Sequence, residues 1–584
     1  MEKQKRQDLP DPWENFFNIC QEQHKSMVDF FLEGIGQTLP LPVAPSSAVP
    51  SIGEAFMETT QTLAKNPSHL LQAHGELVAE MSTLWEKILS PETTENTGSS
   101  IDKRFRHEAW QTVPYFVFIK EYYLVMSRWL EKTVSQIEGL DEKTAKKVQF
   151  YTKQIVDAAA PTNSPFINPE VVEEFVKTKG DSLKKGLETL LQDLEDGKWM
   201  KMTDPSAFKL GESLATTKGE VVYRNHLFEL IHYAPLTKQQ YAVPLLIVPP
   251  WINKYYIFDL SASNSFVKWM LEQGHNVFLM SWVNPGPSLG AMTFEDYLLD
   301  GAHRACEVVS SLTKSPTLHT MGVCVGGNLL AALNAYLAKV PTSFSIKTMT
   351  LLATIFDFEK VGDLKIFMDE DYLQDLEKTM AQNGFLSGEI LKSIFSLLRP
   401  NDLIWDFFIK NYFLGKVPPA FDFLYWNSDS PRLPESLHRF TLRKFFQKNL
   451  FMKPGEIKIK DIPLDLREVT TPTLLLSTIN DHISPWESTY PAVHLLQGPN
   501  EFILAGAGHV AGVINHPSKN KYGFFTNPYL FENASEWFEF STKHEGSWWT
   551  AWHNWVTRFS EEKVSPLKTY PFLEAAPGSY VLMK

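Results

Sequence analysis

Short apolar runs set the rhythm of this chain beyond about residue 219. Positions 243–248, 276–280, 318–323, 346–353, 473–478 and 501–505 are each five to eight residues long and mostly unbroken by the strict polar alternation of a half-solvated strand. Runs of that kind predict buried parallel strands, and the stretches between them carry helical periodicity, so the pattern predicts a doubly wound α/β sheet. The first 210 residues read differently, as a helical N-terminal domain, with the α/β domain spanning 211–584. Between Pro12 and Gly34, Phe16, Cys20, Met27 and Phe31 share one helical face with Phe17 and Phe30 beside it. That face serves either to dock on its own domain or to meet a partner or apolar surface. Prolines 40, 42, 45 and 50 break the pattern, and a second loop covers 91–100. From Trp110 to Trp129 the aromatic density predicts a helix packed on several sides.

At 584 residues the chain exceeds one ordinary domain. Part of the excess is placed by the spacing of two residues discussed below, since Asp481 lies 157 residues beyond Cys324. One strand and its helix cannot use that many. A cap, or lid, inserted at about 358–440 accounts for them, and its large side chains, as in 404–409 and 421–426, are suited to shielding a reactive group from water.

Composition narrows the partners. The chain is 43% hydrophobic and 21% charged, with 68 acids against 55 Lys plus Arg for a net charge of −13. That balance, without a dense basic tract, argues against nucleic acid. Three cysteines, Cys20, Cys306 and Cys324, form neither an even-numbered framework nor a metal-ligand spacing, so no metal is expected and a reduced cytoplasmic setting fits. The opening residues lack a signal-peptide core, and no apolar stretch reaches the length of a spanning helix.

The candidate chemistry starts at Met321-Gly322-Val323-Cys324-Val325-Gly326-Gly327, where an apolar run ends and a helical stretch begins. A strand, a sharp turn and a helix with a nucleophile at the apex is the arrangement of G-x-S-x-G, here with a thiol. The flanking glycines permit a strained turn and close helix–strand contact, and the amide of Val325 is placed to meet a developing oxyanion. Taken alone the pattern is weak, because a buried cysteine at a strand end is usually an inert small hydrophobe. Its partners raise it. Asn480-Asp481-His482 follows the run 473–478, and Gly506-Ala507-Gly508-His509-Val510-Ala511-Gly512 follows 501–505, giving Cys, Asp and His in the chain order of an α/β-hydrolase fold. A second oxyanion donor is expected after the run 243–248; Pro249 and Pro250 have no N–H, which leaves Trp251 or Ile252, and Ile252 is favoured. Cys306 reads as a helix-face residue, and Trp548, Trp549, Trp552 and Trp555 as packing or polymer contacts.

Several segments together resemble the poly(3-hydroxyalkanoate) synthases, in particular the single-subunit class. They are 244–256, 281–286 and the Cys324 turn, then 398–405, 424–429, 481–483, 508–515 and 546–549. The likeness runs from about residue 101 to the end. Two positions depart from it: the family usually has arginine where Val283 stands, which bears on substrate affinity or loop geometry, and often a residue other than histidine at His516.

The resemblance implies growth of a polyester from (R)-3-hydroxyacyl-CoA on a thioester at Cys324, with CoA released as a product and no separate cofactor. It also implies a homodimer attached to polymer granules in a bacterial cytoplasm. His509 is the expected base, because a free thiol is only a few per cent thiolate at neutral pH. Asp481 either orients His509 or helps deprotonate the incoming hydroxyl. His482 contacts substrate or is structural, and Arg399 binds CoA phosphate or pairs with an acid of the cap. A thioesterase or polyester depolymerase would use the same triad with water as acceptor, and a granule scaffold would keep the fold without the chemistry.

Overall fold

The computed structural model describes residues 48–89, 102–195, 200–567 and 570–584. The amphipathic stretch 12–34, the proline-rich break that follows it and the loop 91–100 lie outside or largely outside these residues. The chain divides into two compact units, one of residues 1–201 with 399–418 and one of residues 202–398 with 419–584. No helix among the described residues is long and apolar enough to cross a membrane.

The first unit is helical, with helices at Ala48–Lys65, Pro67–Leu89, Pro114–Ser135, Glu142–Ala158, Pro169–Lys177 and Asp181–Glu195. The aromatic-rich stretch expected from Trp110 begins its long helix only at Pro114. Val113 is extended (φ −94°, ψ 116°), as a residue preceding proline must be, so the turn Ala109–Thr112 stands apart. Phe105, Trp110, Tyr123, Val156 and Ala160 make a small core. Beside it Arg104 bridges Asp102 and the buried Asp157 and donates to Tyr123 Oη at 2.9 Å. Residues 399–418, read from the sequence as part of a continuous cap, group with these helices: Tyr412 Oη donates to Asp193 Oδ2 at 3.0 Å, and at Gly186 any side chain would strike the Tyr412 carbonyl.

The second unit is built on an eleven-stranded sheet. Its strands are β1 (Gly219–Arg224), β2 (Phe228–Tyr233), β3 (Leu245–Val248), β4 (Val277–Trp282), β5 (Thr317–Val323), β6 (Ser345–Leu352), β7 (Thr473–Thr478), β8 (Asn500–Ala505), β9 (Phe524–Thr526), β10 (Thr542–His544) and β11 (Glu574–Ala575). They lie in the order β10-β9-β8-β7-β6-β5-β3-β4-β2-β1-β11. The six strands expected from the apolar runs are β3 to β8, and they pair in parallel. Antiparallel strands extend the sheet at both edges. β3 to β7 are almost wholly buried, which is why they read as continuous apolar runs. This is an α/β-hydrolase fold. Between β6 and β7 the chain leaves the sheet for a largely helical insertion. Its Phe423, Tyr425 and Trp426 pack in the same apolar cluster as Cys324, Trp548 and Trp549.

Candidate active site

Cys324 follows β5 directly and caps the helix Val325–Leu337 with φ 51° and ψ −125°. A non-glycine residue at positive φ is strained, and the strain is held by close packing on every side. The Cys324 amide donates to Leu352 O at 2.8 Å, while its carbonyl accepts from the Gly327 amide at 2.9 Å. The glycines are required by contact. A side chain on Gly322 would meet the Gly327 backbone, one on Gly326 would meet the carbonyls of Val248 and Pro249, and one on Gly327 would overlap Thr354. The thiol itself is partly exposed and unpaired in any disulfide. Val325 N–H, at the start of the helix, belongs to the first turn, whose amides have no intrahelical acceptor.

His509 and Asp481 come from the ends of adjacent strands. β7 and β8 pair in register from Thr473↔Asn500 to Thr478↔Ala505, so the loops that leave them are neighbours. Asp481 Oδ2 lies 2.7 Å from His509 Nδ1 and accepts from Thr478 Oγ1 at 3.2 Å. Its Oδ1 accepts the amides of Ile483 and Ser484 at 3.0 and 2.8 Å. The carboxylate side chain is 0% exposed, so these donors replace its water. Burial pulls the His509 pKa down, but the Asp481 charge and hydrogen bond, reinforced by a hydrogen bond and charge from Cys324, raise it from 6.5 to about 10. With Nδ1 held by Asp481, Nε2 is the ring nitrogen left for the thiol, and a hydrogen bond from Cys324 is among the influences on the ring. The structure thus brings Cys324, His509 and Asp481 into one hydrogen-bonded chain.

The loop carrying the second expected donor borders the elbow through the Val248 and Pro249 carbonyls, which Gly326 touches. Ile252 is half-buried in it, and the neighbouring Trp251 is buried. His482 sits half-buried beside Asp481. Arg399 is an exposed residue of the helical unit, ion-paired with Asp402. Val283 is nearly buried and lines a cleft with Trp251, Lys254, Asn284 and Val581. Cys306 is fully buried, and burial pushes its thiol pKa well up, which leaves it a packing residue. No group of three or more His, Cys, Asp or Glu able to hold a metal ion occurs among the described residues.

Two supports were not legible in the sequence. Trp548 Nε1 donates to Gly512 O at 3.0 Å and Trp549 Nε1 to Val513 O at 2.9 Å, so the buried indoles hold the loop that leaves His509. Thr478, the last residue of β7, supplies the hydroxyl to Asp481. A tryptophan-rich helix shows its apolar bulk in a sequence but not the carbonyls its N–H groups will find.

Residues 101–270 match a family model described as the N-terminus of poly-beta-hydroxybutyrate polymerase (PhaC). The chain is 39% identical over 569 residues to a poly(3-hydroxyalkanoate) polymerase of Methylorubrum extorquens, covering 94% of both chains. It is 36% identical over 573 residues to a poly(3-hydroxyalkanoate) polymerase subunit PhaC of Rhizobium meliloti, again covering 94% of both. With the corresponding subunit of Cupriavidus necator it shares 37% identity over 528 residues, 89% of each chain.

Proposed function

Because this chain belongs to the poly(3-hydroxyalkanoate) polymerases, a family of acyltransferase enzymes, we propose that it polymerises (R)-3-hydroxyacyl-CoA through a covalent thioester on Cys324. The observation that carries the reading is the Cys324–His509–Asp481 chain at a strained elbow. His509 takes the thiol proton, and the sulfur attacks the thioester carbonyl of the substrate. The oxyanion is met by the Val325 and Ile252 amides. As the carbonyl re-forms, the bond to CoA breaks and the CoA sulfur leaves with the proton from His509.

The second half-reaction uses the same imidazole. Two of the influences that raise the His509 pKa belong to Cys324. Acylation removes the Cys324 sulfur as a partner, so His509 loses that support and becomes a freer base for an incoming 3-hydroxyl. The hydroxyl oxygen attacks the enzyme thioester, an ester C–O bond forms, the C–S bond breaks, and the sulfur is restored. Asp481, bonded to Nδ1 and to two backbone amides, acts by orienting His509 and stabilising its charged form. The insertion packed near Cys324 keeps water from competing as acceptor. The family resemblance further supports a homodimer at the surface of cytoplasmic polymer granules, with 3-hydroxybutyryl-CoA as a substrate and no added cofactor.

The deciding experiment gives purified protein (R)-3-hydroxybutyryl-CoA and identifies both products. Polymerisation yields CoA and insoluble polyester. Release of CoA with free 3-hydroxybutyrate alone would make the enzyme a hydrolase and overturn the proposal.

A further inference from the structure

The loop that carries the Ile252 amide is gripped from outside the triad. Trp282 Nε1 donates to Pro249 O at 2.9 Å, and Trp426 Nε1 donates to Lys254 O at 2.7 Å, so indoles hold both ends of 249–254. Lys254 then adds a three-way lock. Its side chain is 7% exposed, and Nζ donates to Asp429 Oδ1 at 2.8 Å, to Val581 O at 2.8 Å and to Met583 O at 3.0 Å. Three protons meet three acceptors, which come from the inserted segment and from the stretch 579–584.

That stretch is itself fixed. Glu229, fully buried in β2, accepts from Ser579 Oγ at 2.9 Å and from the Tyr580 amide at 3.1 Å. Asn284 Nδ2 donates to Met583 O at 3.3 Å, and Arg432 Nη2 donates to Lys584 O at 2.7 Å. Val581 is buried in the main core. Burying an ammonium is a poor route to stability compared with an apolar side chain of similar volume, so the return on this arrangement is geometry. Geometry is what an oxyanion donor needs, since its effect depends on distance to the developing charge.

We propose that Lys254 is a positioning residue for acyl transfer, locking the loop 249–254 so that the Ile252 amide faces the oxyanion, with segment 579–584 as the fixed side of the lock. This rests on the oxyanion assignment in the proposed mechanism. The test uses the full chain and two rates. One is turnover of (R)-3-hydroxybutyryl-CoA, and the other is alkylation of Cys324 by iodoacetamide, a displacement at saturated carbon that forms no oxyanion. In Lys254→Met, kcat falls by about 10- to 100-fold with KM and the alkylation rate held within about threefold. Unchanged kcat overturns the proposal, as does an alkylation rate that falls in step with kcat. If Lys254→Met fails to fold, removal of residues 582–584 carries the test, because it deletes the Met583 acceptor and leaves Val581. A loss of about three- to tenfold in the same pattern is expected, and unaltered turnover overturns the proposal. Wild-type turnover that survives Cys324→Ala would sink the thioester mechanism instead, so the two failures are distinguishable.

Discussion

His275 is a buried histidine of the α/β unit and His509 a half-buried one, and they behave in opposite ways. His275 Nε2 lies 3.0 Å from His553 Nδ1, packed against Trp552 and Tyr241. Burial first, and then the neighbouring histidines and Lys563, drive its pKa well below 6.5. His509 is largely withdrawn from water too, with 15% of its side chain exposed, yet Asp481 and Cys324 raise it to about 10. Desolvation alone makes a neutral, inert ring, whereas desolvation beside a buried carboxylate makes one that holds a proton and can pass it on. Burial is therefore not the signature of the site; the donor-saturated carboxylate is.

The largest effect is expected from removing the proposed nucleophile. Cys324→Ala is expected to lower CoA release by more than about 1,000-fold while leaving circular dichroism unchanged, and substantial residual turnover would show that His509 serves another nucleophile. Next, Asp481→Asn keeps the surroundings and removes the charge, which moves His509 toward the behaviour of His275. A loss of about 100-fold or more in kcat is expected, together with a His509 titration by NMR shifted well down from about 10. A titration unchanged near 10 would mean that Asp481 is not the source of the shift.

His275→Gln acts on the other member of the pair. It should cost about 1–3 kcal/mol, read as a fall of a few degrees in the thermal midpoint, with kcat within about twofold. A large loss of kcat without loss of stability would give this cluster a part in the chemistry. The smallest effect is a pH dependence. Since the folded pKa of His509 lies above the unfolded value of 6.5, its proton stabilises the fold fully below about pH 6.5 and less and less as the pH climbs toward 10. The difference in thermal midpoint between the wild type and His509→Gln should accordingly be largest near pH 6 and shrink on the alkaline side. A gap that widened with pH would contradict the raised pKa.

Much of the fold can be read from residues because parallel strands buried on both faces leave a local trace. β3 to β8 fall where the apolar runs are, within a residue or two at most ends. The antiparallel edges left none of comparable strength. β9 and β11 are three and two residues long, and pairing at that length depends on a neighbour far off in the chain. The insertion reads as one cap, while 399–418 group with the helical unit, because Tyr412 and Gly186 meet only after folding. At the site, glycine spacing marks Cys324 and the strand ends mark Asp481 and His509. Lys254 looks like any surface lysine until Val581 and Met583, more than 300 residues on, present their carbonyls.

Local pattern alone carries the succession of strands, the elbow and the types of the three candidate residues, because each is written at short range: apolar run, glycine spacing, polar residue at a strand end. Folding in space settles which histidine has its pKa raised, which indoles steady the His509 loop and what grips 249–254. Those properties arise from burial and from hydrogen bonds between distant segments, and electrostatic energies depend on distance in space and on exclusion of water, neither of which a linear pattern records.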